Sequence, residues 1–306
     1  MSIRRYIRLM RTEQWVKNVF VLVPLIFSKN LFNLPMLTET IVTFVSFCFA
    51  ASGVYVINDI ADRELDRIHP VKRNRPIASG EIPVLNGWAF ALLLLLITFS
   101  LQTFASIAPS ARAAIVLYII LNLFYSFLLK QVVLLDVFVI AIGFIIRITA
   151  GGFAIGVKIS SWLVMTTLFI SIFLGVAKRR GEYVNVTGDE SSRKVLAKYD
   201  LSLIDQILSI SAASVIITYA LYTVSERTVR AFGTEALIFT TVFVVYGIFR
   251  YLYLIHKSGL GENPTKVLLT DKPTVVNIVF YIISVVTIIY YRQPLIDFIF
   301  RYVPIP

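Results

Sequence analysis

Long apolar runs, almost free of charge, decide what this chain can fold into. They fall at roughly 18–35, 37–58, 85–105, 112–129, 133–156, 160–177, 203–224, 235–255 and 274–291. A bilayer span needs about 20 mostly apolar residues, and most of these runs meet that length. They do not alternate, so strands of a transmembrane barrel are excluded. The reading is an all-α, polytopic membrane protein of nine transmembrane helices, forming one transmembrane domain over residues 1–306. Composition agrees: 58% of the residues are hydrophobic and only 15% charged, against about 25% charged in a soluble domain.

The net charge of +11 would suit a nucleic-acid binder in a soluble chain. Here its distribution points elsewhere. With the N-terminus placed in the cytoplasm, inside segments carry 20 of the 29 Lys and Arg residues and outside segments carry seven. That bias is the one that orients membrane proteins, so the chain is read as a multi-pass protein of the inner (plasma) membrane with no nucleic-acid partner. The start, MSIRRYIRLMRTEQWVKN, has no small-residue cleavage site after a short apolar core, so it does not read as a signal peptide. Residues 1–17 instead read as an interfacial helix, with Arg4, Arg5, Arg8 and Arg11 at helical spacing. Cys48 is the sole cysteine, which excludes an intramolecular disulfide, and His69 and His256 are too few for a histidine metal site.

Two of the inside loops, 59–84 and 178–200, concentrate the charge and are the candidate active-site loops. The first begins NDIADRELD. Asn58, Asp62 and Asp66 are spaced i, i+4, i+8, so on a helix continuing out of the second span they share a face. Oxygen ligands in that arrangement suit Mg²⁺, with substrate phosphates completing the shell. Asp59 is turned away by about 100° and is the weaker ligand. Arg67, His69, Lys72, Arg73 and Arg75 follow. Carboxylates holding Mg²⁺ beside guanidinium groups can clamp a diphosphate and neutralise it as it leaves. A solvated loop whose aspartates merely pair with arginines is the alternative.

These residues carry a resemblance. Asn58-Asp59-x-x-Asp62-x-x-x-Asp66 resembles the first aspartate-rich motif of the UbiA superfamily of intramembrane prenyltransferases. HPVKRNRPIASG, QWVKN (14–18), YSFLLK (125–130), LLDVFVIAIGFIIRITAGG (134–152), SSWL (160–163) and KRRGE (178–182) are similar to its decaprenyl-phosphate phosphoribosyltransferase branch. The likeness runs to about residue 182 and is thin over the last 120 residues. It implies a nine-helix fold, 5-phosphoribosyl diphosphate as donor and a polyprenyl phosphate lipid as acceptor, in synthesis of cell-envelope glycolipids. On this reading Asp62, Asp66 and Arg75 are catalytic and Asn58, Asp62 and Asp66 hold the metal. Lys17, Lys72, Arg73, Tyr125, Lys130, Arg147, Lys178 and Arg179 bind substrate.

Several of these positions have plainer readings. Lys17 at a span boundary can snorkel to headgroups, and Lys178 to Arg180 are an ordinary basic flank. Arg147 lies among Ile and Phe in the fifth span, where an arginine costs roughly 2.5–3.5 kcal/mol on insertion scales. It faces a polar cavity, or it pairs with another helix. Asp136 is about 16 Å away along the same helix, too far for a direct pair. A second D-x-x-x-D motif, usual in members acting on aromatic acceptors, is missing. Asp200 and Asp205 stand five apart and about 140° out of phase. Two other functions remain: a prenyltransferase moving a prenyl group to an aromatic or other acceptor, and a membrane transporter.

Overall fold

The computed structural model describes residues 3–127, 129, 132–184, 200–258 and 270–291. Every regular element among them is helical. In chain order they are α1 (Ile3–Met10), a 3-10 segment (Thr12–Leu22) with a single α-turn (Val23–Ile26), α2 (Leu34–Ala61), α3 (Arg63–Ile68), α4 (Val84–Phe104), α5 (Pro109–Phe127), α6 (Leu135–Ala154), α7 (Ser161–Val184), α8 (Leu201–Val224), α9 (Glu226–Phe232), α10 (Thr241–Ser258) and α11 (Lys272–Val286).

Among the described residues, eight stretches are long and apolar enough to cross a membrane: α2, α4, α5, α6, α7, α8, Ala236–Lys257 and Lys272–Tyr291. They coincide with eight of the nine expected runs. The first run, 18–35, is the exception. Its chain enters as a 3-10 helix and turns α-helical only over Val23–Ile26. Pro24 has no N–H to extend an α-helix back into the preceding residues. A 3-10 helix rises about 2.0 Å per residue, so the segment reaches inward by roughly 22 Å although it is short. The expected interfacial helix is also shorter than 1–17: α1 ends at Met10, and Arg11 turns the chain with φ 52° and ψ 52°.

α2 and α6 are the most buried spans and form the middle of the bundle. Phe47, Ala50 and Val54 of α2, Ile115 and Tyr118 of α5, and Ile146 and Ala150 of α6 pack around Val21. A second core joins α6 to α7, α8 and α10 through Val137, Phe173, Leu208 and Tyr251. Lipid tails are as apolar as these side chains, so close packing and polar ties hold such a bundle more than water exclusion does. Gly151 shows this most sharply. A Cβ there would lie 2.0 Å from the Val21 carbonyl oxygen, so only glycine lets α6 approach the 3-10 segment. At the same end of the bundle lie α1, the α2–α4 connection, the start of α6, the end of α7, the start of α8 and the end of α10. Contacts among them build the charged rim.

Candidate active site

The sequence places Asn58, Asp62 and Asp66 on one continuous helix, but α2 stops at Ala61. Asp62 takes φ −90° and ψ 5°, and α3 starts at Arg63. The break separates the phase of Asp66 from that of α2. Asp59 is not turned away: it is 2% exposed and faces the basic groups of the rim, as does Asp66 at 4%. Arg75 Nη1 donates to Asp66 Oδ2 at 2.6 Å and to Asp59 Oδ1 at 3.2 Å. Arg11 Nη2 donates to the same Asp59 oxygen from the far side. The two buried carboxylates therefore share one guanidinium, and Asp62 stands half-buried at the bend between them.

This donor set suits a hard divalent cation. Asn58, Asp59, Asp62 and Asp66 offer oxygen only, and a guanidinium nitrogen already lies between two carboxylates, a position selective for positive charge. No three His, Cys, Asp or Glu side chains converge among the described residues. The protein thus supplies part of a coordination shell, and substrate phosphates would have to supply the rest.

A set of cations from three elements gathers at the same rim. Lys178 of α7 lies within electrostatic reach of Lys17 on the 3-10 segment and Lys72 in the α2–α4 connection. Glu182 balances this group, 3.6 Å from Lys178 Nζ. Burial, then the charges of Arg147 and Arg11, push the Lys17 ammonium down to about 8. Arg73 is exposed at the outer edge of the rim, and Lys130 lies outside the described residues, as do 185–199 of the second candidate loop.

The run Lys178-Arg179-Arg180 divides into three separate jobs. Arg179 Nε sits 2.6 Å from Asp136 Oδ2, and the same side chain bonds Glu182 and the Tyr125 hydroxyl. Asp136 is fully buried. Arg179 and Tyr125, expected as substrate ligands, thus lock α5, α6 and α7 together at the rim. Arg180 turns the other way, 2.7 Å from Asp205 Oδ1 and 3.2 Å from the Ile255 carbonyl. Asp205 is therefore spent on tying α7 to α8 and α10, and Asp200 sits exposed at the start of α8. Arg180→Ala should lower stability by about 1 kcal/mol, the pair being part-exposed, and leave donor binding unchanged. Arg179→Ala strands a buried carboxylate and should cost about 3–5 kcal/mol. Thermal unfolding in detergent beside a binding assay separates the two.

Arg147 has no carboxylate among its hydrogen-bond partners. Nε donates to Asn18 Oδ1 at 2.7 Å, Nη1 to the Gly143 carbonyl at 2.9 Å and Nη2 to the Tyr118 hydroxyl at 2.9 Å. Its guanidinium also stacks 4.5 Å above the Tyr118 ring. Asn18 in turn donates to Cys48 Sγ at 3.3 Å. Arg147 thus ties α6 to α5 and to the 3-10 segment, next to Lys17. Tyr118 was not anticipated from sequence; Asn18 was covered only by the QWVKN motif and Arg11 only as part of the basic interfacial helix, neither with a role in the site.

Among the described residues, an all-helical bundle with eight candidate membrane spans carries a buried acid pair and a lysine cluster at one rim. The chain belongs to the UbiA prenyltransferase family, whose model matches residues 19–270. It is 33% identical to the decaprenyl-phosphate phosphoribosyltransferase of Corynebacterium glutamicum over 290 residues, 93% of this chain and 86% of that one. It is 30% identical to the enzyme of the same name from Mycobacterium tuberculosis, over 87% of this chain and 88% of the other. The match to the first runs well past residue 182, so the likeness is not confined to the N-terminal part. Its fold is that of a UbiA homolog from Archaeoglobus fulgidus bound to GPP and Mg²⁺: TM-score 0.69, 18% identity, covering 93% of this chain and 99% of that one.

Proposed function

We propose that this chain transfers a 5-phosphoribosyl group from 5-phosphoribosyl diphosphate to a polyprenyl phosphate, releasing diphosphate, at a rim that faces the cytoplasm of the plasma membrane. The single observation that carries this reading is the spread of cations. Lys17 and Lys72, from two further elements, both lie within electrostatic reach of Lys178 on α7, while Asp205 is tied to Arg180. A donor with a diphosphate at C1 and a phosphate at C5 needs one carboxylate-bound cation and several separate basic groups. A second carboxylate cluster is not required. The similarity to phosphoribosyltransferases over most of the chain supports the same choice.

Asn58, Asp62 and Asp66 would hold Mg²⁺, which neutralises the diphosphate as the C1–oxygen bond breaks. Arg75 stands beside Asp66 and can follow the charge onto the leaving diphosphate. Lys72 and Lys178 hold phosphate oxygens of the donor. Lys17 holds the lipid phosphate, whose oxygen forms the new bond to C1 from the opposite face. That phosphate is already ionised near pH 7, since its second pKa is about 6, so no strong general base is needed. Orientation and fixed charge then supply most of the rate. Arg147 keeps Asn18, and with it Lys17, in place.

A pH dependence follows. Lys17 must be protonated to hold the lipid phosphate and titrates near 8 in the free protein. KM for polyprenyl phosphate should therefore rise as pH climbs through about 8, and Lys17→Arg, which cannot deprotonate, should move that limb upward. An unchanged profile in Lys17→Arg removes the assignment.

The function itself is tested with radiolabelled donor. Label should enter the lipid phase from 5-phosphoribosyl diphosphate only when polyprenyl phosphate and Mg²⁺ are present. Transfer of a prenyl group from a prenyl diphosphate to an aromatic acceptor, with no ribosyl transfer, would support the other family chemistry. Solute flux in liposomes without turnover would support a transporter.

A further inference from the structure

Four charged side chains form one line at the rim: Arg11, Asp59, Arg75 and Asp66. Asp59 Oδ1 accepts from both arginines, Arg11 Nη2 on one side and Arg75 Nη1 on the other. The two arginines are not equivalent. Arg75 lies 3.2 Å from Asp59 but 2.6 Å from Asp66, so its stronger tie is to Asp66.

Arg11 is the better anchored of the two. Its backbone stands in the left-handed region, at φ 52° and ψ 52°. Leu9, two residues before it, is fully buried. The Met10 carbonyl accepts from Ser52 Oγ at 2.8 Å, and Ser52 Oγ accepts from Trp15 Nε1 at 3.0 Å. The Arg11 guanidinium also lies 5.3 Å from the centre of the Tyr55 ring. α2 therefore grips the chain on both sides of Arg11 and holds its side chain as well.

This asymmetry bears on the reaction proposed above, in which Arg75 follows the charge onto the leaving diphosphate. Asp59 is 2% exposed, and a buried carboxylate left without a cation is strongly destabilising. Arg75 can leave only if another positive charge stays behind. We propose that Arg11 is a positioning residue, the standing counter-ion of Asp59 that frees Arg75 to move to the diphosphate.

The test is calorimetric titration of inorganic diphosphate, at saturating Mg²⁺, into the full chain in nanodiscs. It reads binding without turnover. R11Q leaves Asp59 dependent on Arg75 and should weaken binding about tenfold, which is about 1.4 kcal/mol. In a D59N background there is no charge to balance, and adding R11Q should cost less than about twofold. Arg11→Lys keeps the charge and should recover most of the loss. Arg8→Gln removes a positive charge from the neighbouring helix, where it pairs with Glu81, and should change little. Equal losses from R11Q in both backgrounds overturn the proposal, because Arg11 would then touch the diphosphate or only support the fold. D59N that abolishes binding overturns it too, since Asp59 would then be a ligand. So do an unchanged R11Q, an Arg11→Lys no better than R11Q, and an Arg8→Gln loss as large as that of R11Q. Diphosphate leaves in ribosyl and prenyl transfer alike, so a failure of ribosyl transfer and a failure of this coupling are told apart.

Discussion

Asp66→Asn should lower Mg²⁺-dependent turnover by about a thousandfold or more, corresponding to about 4 kcal/mol of transition-state stabilisation. Asp66 is nearly fully buried, and one of its oxygens accepts from Arg75 at 2.6 Å. An amide keeps the shape but loses the charge proposed to hold a divalent cation and the strong acceptor that aligns the guanidinium. Asp59 still pairs with Arg75 at 3.2 Å, so the arginine is not stranded and the protein should insert and purify normally. Asp62→Asn should act in the same direction. Glu64→Gln, a few residues away on an exposed side chain that pairs with Arg67, should leave turnover unchanged. The measurement is initial rate against Mg²⁺ concentration, with size-exclusion profiles to show intact protein. Full activity in Asp66→Asn would remove the carboxylates from the chemistry.

Gly151→Ala should break the fold rather than the chemistry. The new methyl would meet the Val21 carbonyl oxygen at 2.0 Å, and that neighbour is backbone. Val21 is fully buried and Leu25 is 1% exposed, so the 3-10 segment has no free space into which to retreat. Overpacking of this kind costs about 3 kcal/mol or more. It would also shift Asn18 from Arg147 and Lys17 from the rim, so surviving protein should bind lipid phosphate poorly. Gly143→Ala on the same helix is the control. Its methyl would meet Arg147 Nη1 at 3.4 Å, an ordinary van der Waals contact, and thermal stability in detergent should hardly move.

The contrast between those two glycines marks how far the sequence could be read. Spans are legible because a bilayer demands about twenty apolar residues in a row, and eight of the expected runs are helices here. The stretch around Pro24 failed because hydropathy reports polarity and is blind to whether a segment winds as α or 3-10. Phase failed at Asp62 for a related reason: a spacing rule assumes an unbroken helix, and the helix ends at Ala61, so Asp66 meets Asp59 across Arg75 and not as part of one continuous ladder. Basic flanks were the least legible feature. Nothing local to Lys178-Arg179-Arg180 says that one faces the lysine cluster, one a buried aspartate and one the α8–α10 junction. Those fates are set by Asp136, Asp205 and Ile255, which only the fold brings near.

Arg147 carries one more consequence. Lys17, Asn18 and Tyr118 form a line of polar groups that dips from the rim into the bundle, the kind of feature through which protons or metal ions seep across a membrane. Among the described residues, a positive charge hydrogen-bonded to neutral oxygens stands at its inner end, and a fixed charge of that sign opposes the entry of cations. The arginine that ties α6 to α5 and to the 3-10 segment would thereby also keep cations from following that line into the bundle.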